Sequence, residues 1–235
     1  MPDSTPRSPG TVLITGGASG LGAATARAVL AAGGTPLIID RDKPDDTELA
    51  WEYADLADSG DAASAVEALV RRAGGRLDGV VTAAGTDACG TLADLDTETW
   101  ERVIKVNLLG TAAVVRAALP ALRATHGRVV TVASTLGLRA LSDATAYCAS
   151  KFGVVGFTRA LAAETAGEIG VTLLIPGGMR TAFFDDRPEQ YKPGPDAKLN
   201  DPANVADTIL YAMTRPEGSE LRELVVCAST ETSWP

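Results

Sequence analysis

The sequence predicts an α/β fold in which helices cover both faces of a doubly wound parallel sheet of about seven strands, all in a single domain. Three observations predict this fold class. Short β-branched apolar runs alternate with longer stretches of helical periodicity, without an internal repeat or an obvious linker. A glycine-rich turn follows the first strand and opens the first helix. The 235 residues, 46% of them hydrophobic, suffice for one complete core and leave no room for a second domain.

Each predicted element has its own signal. The strands are short runs rich in valine, isoleucine and threonine, and the helices are stretches in which apolar residues recur every three or four positions. Asp201 and Pro202 are typical of a helix N-cap and a first-turn proline. The predicted order is strand 11–15, helix 23–32, strand 36–40, strand 51–55, helix 61–72, strand 77–85 running into a glycine turn, helix 97–122, strand 128–133, a helix that contains Tyr147 and ends near 165, strand 171–175, helix 201–213 and strand 224–227.

Three segments are predicted to be irregular. Residues 1–10 are polar and proline-rich and are expected to form a disordered leader before a domain at 11–235. Residues 41–50 contain Pro44 and four acidic residues, so they predict a shortened crossover of about one turn instead of a full helix. Residues 180–200, with prolines around Gly194 and several charges, are typical of a mobile lid.

The turn after the first strand reads Gly-Gly-Ala-Ser-Gly-Leu-Gly from Gly16 to Gly22 and suits a dinucleotide. Glycines let the backbone approach a ligand closely, and the N-terminus of the next helix offers unpaired N–H groups and a positive dipole to a pyrophosphate. The spacing Gly-x-x-x-Gly-x-Gly differs from the common Gly-x-Gly-x-x-Gly fingerprint, so packing alone is the alternative explanation. The second strand ends in Asp40, about twenty residues further on, where this fold places the acid that binds the adenosine ribose.

Ser134, Tyr147 and Lys151 have a spacing that suggests a proton-transfer site. Residues four apart lie on one helix face, so the Lys151 ammonium is expected near the Tyr147 phenol, where it would stabilise the phenolate. A free phenol has a pKa of about 10, and a fixed cation beside it lowers that pKa, so the pair would exchange a proton near neutral pH. Tyr-x-x-x-Lys also occurs by chance in many helices, so the site depends on the other motifs.

Together, these motifs resemble those of the short-chain dehydrogenase/reductase family, of the single-domain Tyr-x-x-x-Lys type, and the resemblance extends from about residue 11 to about residue 228. It implies a Rossmann-like fold. It also implies an oxidoreductase that transfers a hydride between a nicotinamide dinucleotide and a ketone or secondary alcohol.

The resemblance implies roles for four residues. Tyr147 would be the general acid/base, and Lys151 would lower its pKa and hold the nicotinamide ribose. Ser134 would fix the substrate oxygen near the phenol. Asn107 matches the family asparagine that links Lys151 to solvent through water.

The resemblance also implies the residues that hold the cofactor. Asp40 would bind the ribose diol and repel the 2′-phosphate of NADP, which favours NAD. Arg41 follows immediately and can reach such a phosphate, so NADP is the alternative. Asp55 and Leu56 resemble the pair that contacts adenine. The whole set expected at the cofactor is Gly16, Ser19, Gly20, Leu21, Gly22, Asp40, Arg41, Asp55, Leu56, Ala83, Ala84, Gly85, Tyr147, Lys151, Pro176, Gly177 and Thr181.

Two positions depart from the family pattern. Thr82 stands where asparagine is common, and its hydroxyl is expected to replace one hydrogen bond of the amide, with a modest effect on stability. Ala133 stands where a second serine often precedes the catalytic one, and the spacing still assigns Ser134. Neither change removes a proton-transfer group.

Composition excludes several other classes. The net charge of −9 and the pI near 4.7 argue against binding to nucleic acid or to an anionic membrane. Three isolated cysteines and one histidine exclude a zinc site and a disulfide framework, so no metal is expected. A signal-peptide core and an uninterrupted membrane-spanning run are both lacking in the sequence, which predicts a cytoplasmic protein with no membrane partner.

The sequence is compatible with other functional classes and with several substrates. One alternative is a non-catalytic dinucleotide-sensing protein, which the complete catalytic set disfavours. The other is an epimerase or dehydratase, which the short segment after Ile175 disfavours.

The long apolar helices resemble those that pair between subunits in the family, which implies a homo-oligomer, expected to be a tetramer. A moderately apolar ketone or alcohol is expected, because an apolar wall or plain core packing would explain Leu136, Leu138, Leu141, Met179, Phe183 and Phe184.

Overall fold

The computed structural model describes residues 6–233, and these form one seven-stranded sheet and six α-helices. All neighbouring strands pair in parallel, in the order β3-β2-β1-β4-β5-β6-β7, so the order reverses between β1 and β4 and the predicted doubly wound sheet is confirmed. The strands are β1 Thr11–Thr15, β2 Thr35–Asp40, β3 Ala50–Tyr53, β4 Gly79–Thr82, β5 Arg128–Val132, β6 Gly170–Pro176 and β7 Glu223–Val226. The helices are α1 Gly20–Ala31, α2 Ser59–Arg72, α3 Thr97–Ile104, α4 Thr111–Thr125, α5 Thr145–Glu164 and α6 Pro202–Met213.

Alternation along β1 explains the two helical layers. Successive side chains of a strand point to opposite faces, and accordingly Val12 and Ile14 pack in one hydrophobic cluster while Leu13 packs in the other. α1 and α6 cover the first face with Val29 and Ile209, whereas α2, α4 and α5 cover the second. A strand buried on both faces needs apolar residues at every position, which is why β1 reads as a continuous apolar run.

The predicted helix 97–122 contains an irregular turn. α3 ends at Ile104, a π-helical segment occupies Lys105–Gly110, and α4 then continues to Thr125. The backbone is closely packed there, since a Cβ on Gly110 would lie 2.6 Å from the carbonyl oxygen of Leu56. Segments of this kind are frequent at functional sites, and this one carries Asn107.

The helical run from Thr97 to Thr125 is long and apolar enough to cross a membrane, judged by length and composition alone, with a mean hydropathy of 1.4 in its most apolar window. Core helices of folded proteins have the same properties. Here 44% of that window is buried inside the fold, and α4 packs against α2. The absence of a membrane partner stays a prediction.

The segments predicted to be irregular differ in outcome. Residues 41–49 contain bends and turns without a helix, so the crossover is even shorter than the single turn predicted. Residues 180–200 contain two short 3₁₀ turns, Ala182–Phe184 and Glu189–Tyr191.

Part of the predicted leader is attached to the domain. Residues 1–5 lie outside the described residues. The backbone N–H of Arg7 donates to the Thr214 carbonyl at 3.0 Å, and its guanidinium donates to the His126 carbonyl at 3.0 Å. The prediction of disorder is therefore wrong for 6–10, because Arg7 supplies donors to the carbonyl groups at the ends of α6 and α4.

Candidate active site

The predicted site residues converge at the carboxyl ends of the strands, beside the reversal between β1 and β4, where Thr15 lies opposite Thr82. A cavity of about 860 Å³ opens at this edge. All members of the predicted catalytic and cofactor sets line it except Asn107, which is buried beside Gly85. Such a cavity beyond the strand ends is where open α/β sheets bind ligands.

The glycines of the first turn have two kinds of role. Gly16 has φ +71°, and a Cβ there would lie 2.8 Å from the Cα of Ala84, while a Cβ on Gly22 would collide with the Gly16 carbonyl oxygen. Packing therefore explains these two glycines. Gly20, with φ +50°, begins α1 and lines the cavity, and a Cβ on it would come within ordinary contact of Thr181 at 3.4 Å.

The end of β2 holds the turn in place. One Asp40 oxygen accepts from the Ala18 N–H at 2.9 Å and the other accepts from the Asp42 N–H at 3.1 Å. Ser19 is the N-cap of α1, and within the described chain its side chain makes no capping hydrogen bond. The N–H groups of the first turn of α1 are thus left for a ligand, and an anionic group such as a pyrophosphate fits them.

The predicted adenine contact Asp55 forms an ion pair. The Arg102 Nη2 donates to both Asp55 oxygens, at 3.1 and 3.0 Å. Burial raises the pKa of Asp55, but hydrogen bonds from the Ala57 N–H and Arg102, together with the Arg102 charge, outweigh it and hold the pKa below its usual value. Asp55 is therefore ionised at neutral pH, and Arg102 joins the cavity wall.

Ser134, Tyr147 and Lys151 come together as predicted. Ser134 follows β5 and begins a 3₁₀ turn, where its Oγ accepts from the Leu136 N–H at 3.1 Å. Tyr147 and Lys151 lie on one face of α5, with the Lys151 Nζ 5.6 Å from the Tyr147 ring centre. All three side chains are buried. The Nζ donates to the Val132 carbonyl at 3.0 Å, so its hydrogen-bond partner is the backbone of β5.

Burial dominates the acid–base properties of this pair. It raises the pKa of Tyr147 to about 12, an effect that hydrogen bonding with Ser134 opposes. It lowers the pKa of Lys151 to about 8. The prediction that Lys151 brings the phenol pKa below about 10 is therefore wrong for the cofactor-free protein, because the low-dielectric site disfavours both charged forms and the ammonium bonds to Val132.

Asn107 connects two parts of the site. Its Nδ2 donates to the Thr86 carbonyl at 2.9 Å and to the Ser150 Oγ at 3.0 Å, and its Oδ1 accepts from the Thr86 N–H at 2.8 Å. Ser150 in turn donates to the Tyr147 carbonyl at 2.8 Å. The π segment thus braces the loop after β4 against the helix that carries Tyr147. The water-mediated link to Lys151 stays a prediction.

The departure at Thr82 differs from expectation. The prediction that its hydroxyl replaces an amide hydrogen bond is wrong, since Thr82 Oγ1 is buried without a hydrogen-bond partner among the described residues. The hydroxyl of Thr15, opposite it on β1, instead accepts from the Ala84 N–H at 3.1 Å. The neighbouring strand therefore supplies the contact that holds 83–85.

The turn after β6 contacts the C-terminal segment. The Gly178 N–H donates to Glu231 Oε2 at 2.9 Å, and the Ser233 hydroxyl lies 2.7 Å from that of Thr135, next to Ser134. Burial raises the pKa of Glu231, but hydrogen bonds from Ser233 and Gly178 outweigh it and lower that pKa. Glu231 and Ser233 therefore form part of the cavity wall.

The apolar wall is confirmed for most of its members. Leu136, Leu141, Met179, Phe183 and Phe184 line the cavity. The prediction is wrong for Leu138, which packs against the buried cluster around Ala133 and Ile175. Leu138 ends the 3₁₀ turn after Ser134, and that turn directs it back to the sheet.

Comparison with known families agrees with this geometry. The family model described as short chain dehydrogenase matches residues 10–192. The chain belongs to the short-chain dehydrogenase/reductase family. Members of this family are oxidoreductases that bind a nicotinamide dinucleotide and act on small molecules.

Named relatives cover most of the chain. This short-chain dehydrogenase/reductase is 35% identical to (2S)-[(R)-hydroxy(phenyl)methyl]succinyl-CoA dehydrogenase subunit BbsD of Thauera aromatica over 85% of this chain and 87% of that protein. It is 29% identical to 2-(S)-hydroxypropyl-CoM dehydrogenase 3 of Xanthobacter autotrophicus, over 86% and 89%. The alcohol dehydrogenase of Thermococcus sibiricus, solved with 5-hydroxy-NADP, superposes with a TM-score of 0.81 at 22% identity, over 92% and 95%. At that identity the superposition shows the shared fold.

Sequence reasoning missed several residues of the site of this short-chain dehydrogenase/reductase. Arg102, Glu231 and Ser233 line the cavity, as do Asp87 and Arg187. Each contacts a residue that is separated from it in the sequence by at least two helices or strands, and none belongs to a motif. Only the charge of Asp87, two residues beyond the glycine that ends 83–85, offered a signal in the sequence.

Proposed function

We propose that this protein is an NAD(H)-dependent dehydrogenase or reductase that interconverts a secondary alcohol and a ketone, with Tyr147 as general acid/base. The supporting observation is that Ser134, Tyr147 and Lys151 share one cavity with the glycine turn and Asp40. A protein that only sensed the dinucleotide would need the turn and Asp40 but not a buried phenol beside a buried amine.

The residues present fit a dinucleotide. Gly20 and the uncapped start of α1 suit the pyrophosphate, Asp40 suits the adenosine ribose, and Lys151 suits the second ribose. When bound, the nicotinamide ring accepts or donates the hydride. In alcohol oxidation the substrate carbon loses a hydride while its hydroxyl proton passes to the Tyr147 oxygen, which accepts it in the phenolate form. In ketone reduction the Tyr147 hydroxyl donates that proton to the carbonyl oxygen as the carbon gains a hydride.

Ser134 and Lys151 support this transfer. The Ser134 Oγ hydrogen-bonds the substrate oxygen and holds it near the phenol. Lys151, with its pKa of about 8, exchanges protons near neutral pH and restores the protonation state of Tyr147. Asn107 keeps the helix of Tyr147 in place through Ser150.

NAD is favoured over NADP on charge. The Asp40 carboxylate lines the cavity at the end of β2 and would repel a 2′-phosphate. Exposed Arg41 beside it supports the alternative, and the Thermococcus sibiricus enzyme was solved with an NADP analogue. Measuring the affinity of the protein for NAD(H) and for NADP(H) distinguishes the two alternatives.

The cavity wall supports an apolar substrate. Phe183 and Phe184 meet edge to face, with centroids 5.5 Å apart, and Leu136 and Leu141 line the same cavity. The name of the Thauera aromatica relative specifies a hydroxy(phenyl)methyl group, a secondary alcohol beside an aromatic ring. We therefore infer a ketone or secondary alcohol with an apolar substituent.

A panel experiment tests the proposal. Purified protein is mixed with NADH or NADPH and aryl or alkyl ketones, or with NAD or NADP and the matching alcohols, and nicotinamide absorbance is followed. Turnover that depends on both partners is expected. Tight cofactor binding without turnover on any member would support the sensing alternative.

A further inference from the structure

A largely buried ion pair lies near the candidate catalytic phenol. The Arg187 Nη2 donates to Asp87 Oδ2 at 2.5 Å, and only 6% of the Asp87 side chain and 19% of the Arg187 side chain are exposed. The two residues are 100 positions apart in the chain. Asp87 belongs to the loop after β4, and Arg187 belongs to the 180–200 segment, so the pair ties that segment to the sheet.

Arg187 also orders two aromatic rings. Its guanidinium carbon lies 5.4 Å from the centre of the Phe183 ring and 4.6 Å from that of Phe184. The Phe183 ring in turn lies 5.9 Å from the Tyr147 ring. A continuous chain of contacts therefore runs from Asp87 through Arg187 and Phe183 to the phenol.

The pair acts on Tyr147 through charge as well. After burial and the Ser134 hydrogen bond, Asp87 raises the pKa of Tyr147 and Arg187 lowers it. Because the two charges are adjacent, their effects largely cancel, and removing one leaves the other uncompensated in a low-dielectric site. The other titratable groups around the phenol are Lys151 and Cys148 on α5 and Cys89 beside Asp87. Those that line the rest of the cavity are Asp40, Arg41, Asp42, Asp55, Arg102, Asp186 and Glu231.

We propose that Asp87 and Arg187 are a positioning pair for the reaction, in which Arg187 holds Phe183 against Tyr147 and the two opposite charges balance each other beside the phenol. This inference rests on the proposed function for the role of Tyr147. Neither residue is required to touch the reacting atoms. A pair that served folding alone would change stability when broken, whereas a positioning pair also sets the pH at which the site works.

Two single substitutions of opposite sign test the charge balance. Asp87→Asn leaves the Arg187 charge and is expected to shift the pH profile of kcat for alcohol oxidation to lower pH. Arg187→Met leaves the Asp87 charge and is expected to shift it to higher pH, each by on the order of one pH unit. The matched control is Arg159→Met, which breaks the exposed Arg159–Glu223 pair (2.7 Å) and should leave the profile unchanged. Shifts in the same direction, or profiles that coincide with the parent, would overturn the proposal.

A second measurement does not depend on turnover. The absorbance of phenolate is followed as the pH of the cofactor-free protein is raised. The same titration of the Tyr147→Phe variant is subtracted, which removes the contribution of the other tyrosines. In Asp87→Asn, Tyr147 is expected to begin ionising about one pH unit before it does in the parent. If the parent shows no turnover on any substrate, the proposed function fails. This titration still tests whether the charges of Asp87 and Arg187 balance beside Tyr147. An unchanged titration overturns the charge balance.

A double variant covers the case in which a single substitution prevents folding. Removing one partner of a buried pair leaves an uncompensated charge, whereas Asp87→Asn combined with Arg187→Met leaves none. The double variant is expected to keep the parental pH profile while its KM rises about tenfold, because Phe183 has lost its support. A parental KM would refute the positioning role.

Discussion

Replacing Lys151 by methionine is expected to make the cofactor-free protein more stable at about pH 7 while it removes activity. The side chain is buried, and its Nζ has the Val132 carbonyl as its hydrogen-bond partner. Methionine has a similar length and flexibility and needs no hydration. The substitution therefore separates what the ammonium costs in folding from what it contributes to the reaction.

The magnitude follows from the pKa. Burial lowers the pKa of Lys151 from 10.5 to about 8, which corresponds to about 3 kcal/mol by which the folded state disfavours the ammonium. Losing the hydrogen bond to Val132 offsets about 1 kcal/mol of this. The expected net gain is about 2 kcal/mol in the free energy of unfolding, or about 4–8 °C in Tm.

The pH dependence has a definite sign. The pKa of this base is lower in the folded state than in the unfolded chain, so between about 8 and 10.5 the unfolded chain binds more protons. The parent therefore becomes relatively more stable as the pH rises through that window. The advantage of Lys151→Met is fully present below about pH 8 and is lost by about pH 10.5. Tyr147, whose pKa burial raises to about 12, stays protonated in the folded state across this window, so it contributes alike to both proteins.

Urea unfolding of cofactor-free parent and variant at matched concentration, at several pH values from 7 to 10, measures this difference. Lys198→Met serves as control, because that lysine is exposed. Turnover and cofactor affinity are measured on the same preparations, and both should fall in Lys151→Met. A variant less stable than the parent at about pH 7, or a difference that does not change with pH, would refute the burial argument.

Three further predictions concern the proposed function. Tyr147→Phe should lower kcat by about 10²-fold to 10⁴-fold with little change in cofactor affinity, and near-parental turnover in the folded protein would remove Tyr147 from the mechanism. Calorimetric titration should show tighter binding of NAD(H) than of NADP(H), with the preference narrowed in Asp40→Ala, whereas equal binding by the parent would mean that Arg41 outweighs Asp40. Light scattering should report a tetramer, because Leu109 and Phe152 are exposed on the π segment and α5, and a monomer of about 24 kDa would refute this.

The strands and helices were largely predictable because their signals are local. The apolar run of β1 and the N-cap of α6 at Asp201 depend on neighbouring residues only, and the structure has both. The π segment Lys105–Gly110 had no such signal, because it accompanies the close approach of Gly110 to Leu56, 54 positions earlier in the chain. The order at Arg7 likewise depends on carbonyl groups of two distant helix ends.

The candidate site was predictable where a motif carries it. Ser134, Tyr147 and Lys151 have fixed spacings within one strand–helix unit, so local geometry brings them together. The acid–base balance was not predictable, because it depends on burial and on the Val132 carbonyl that accepts from Lys151. Spacing identifies which side chains are neighbours but contains no information on how much water surrounds them.

Burial raises the pKa of Tyr147 and lowers the pKa of Lys151. Both shifts favour the neutral form of the side chain. Lys151, with its pKa of about 8, is still mostly charged at neutral pH, and the charges of Asp87 and Arg187, which belong to no motif, also act on the phenol. On the proposed function, the motif supplies the group that transfers the proton, whereas residues outside it are expected to set the pH at which that group can do so. Two family members with identical motifs are therefore expected to differ in pH profile whenever their loops after β4 and β6 carry different charges.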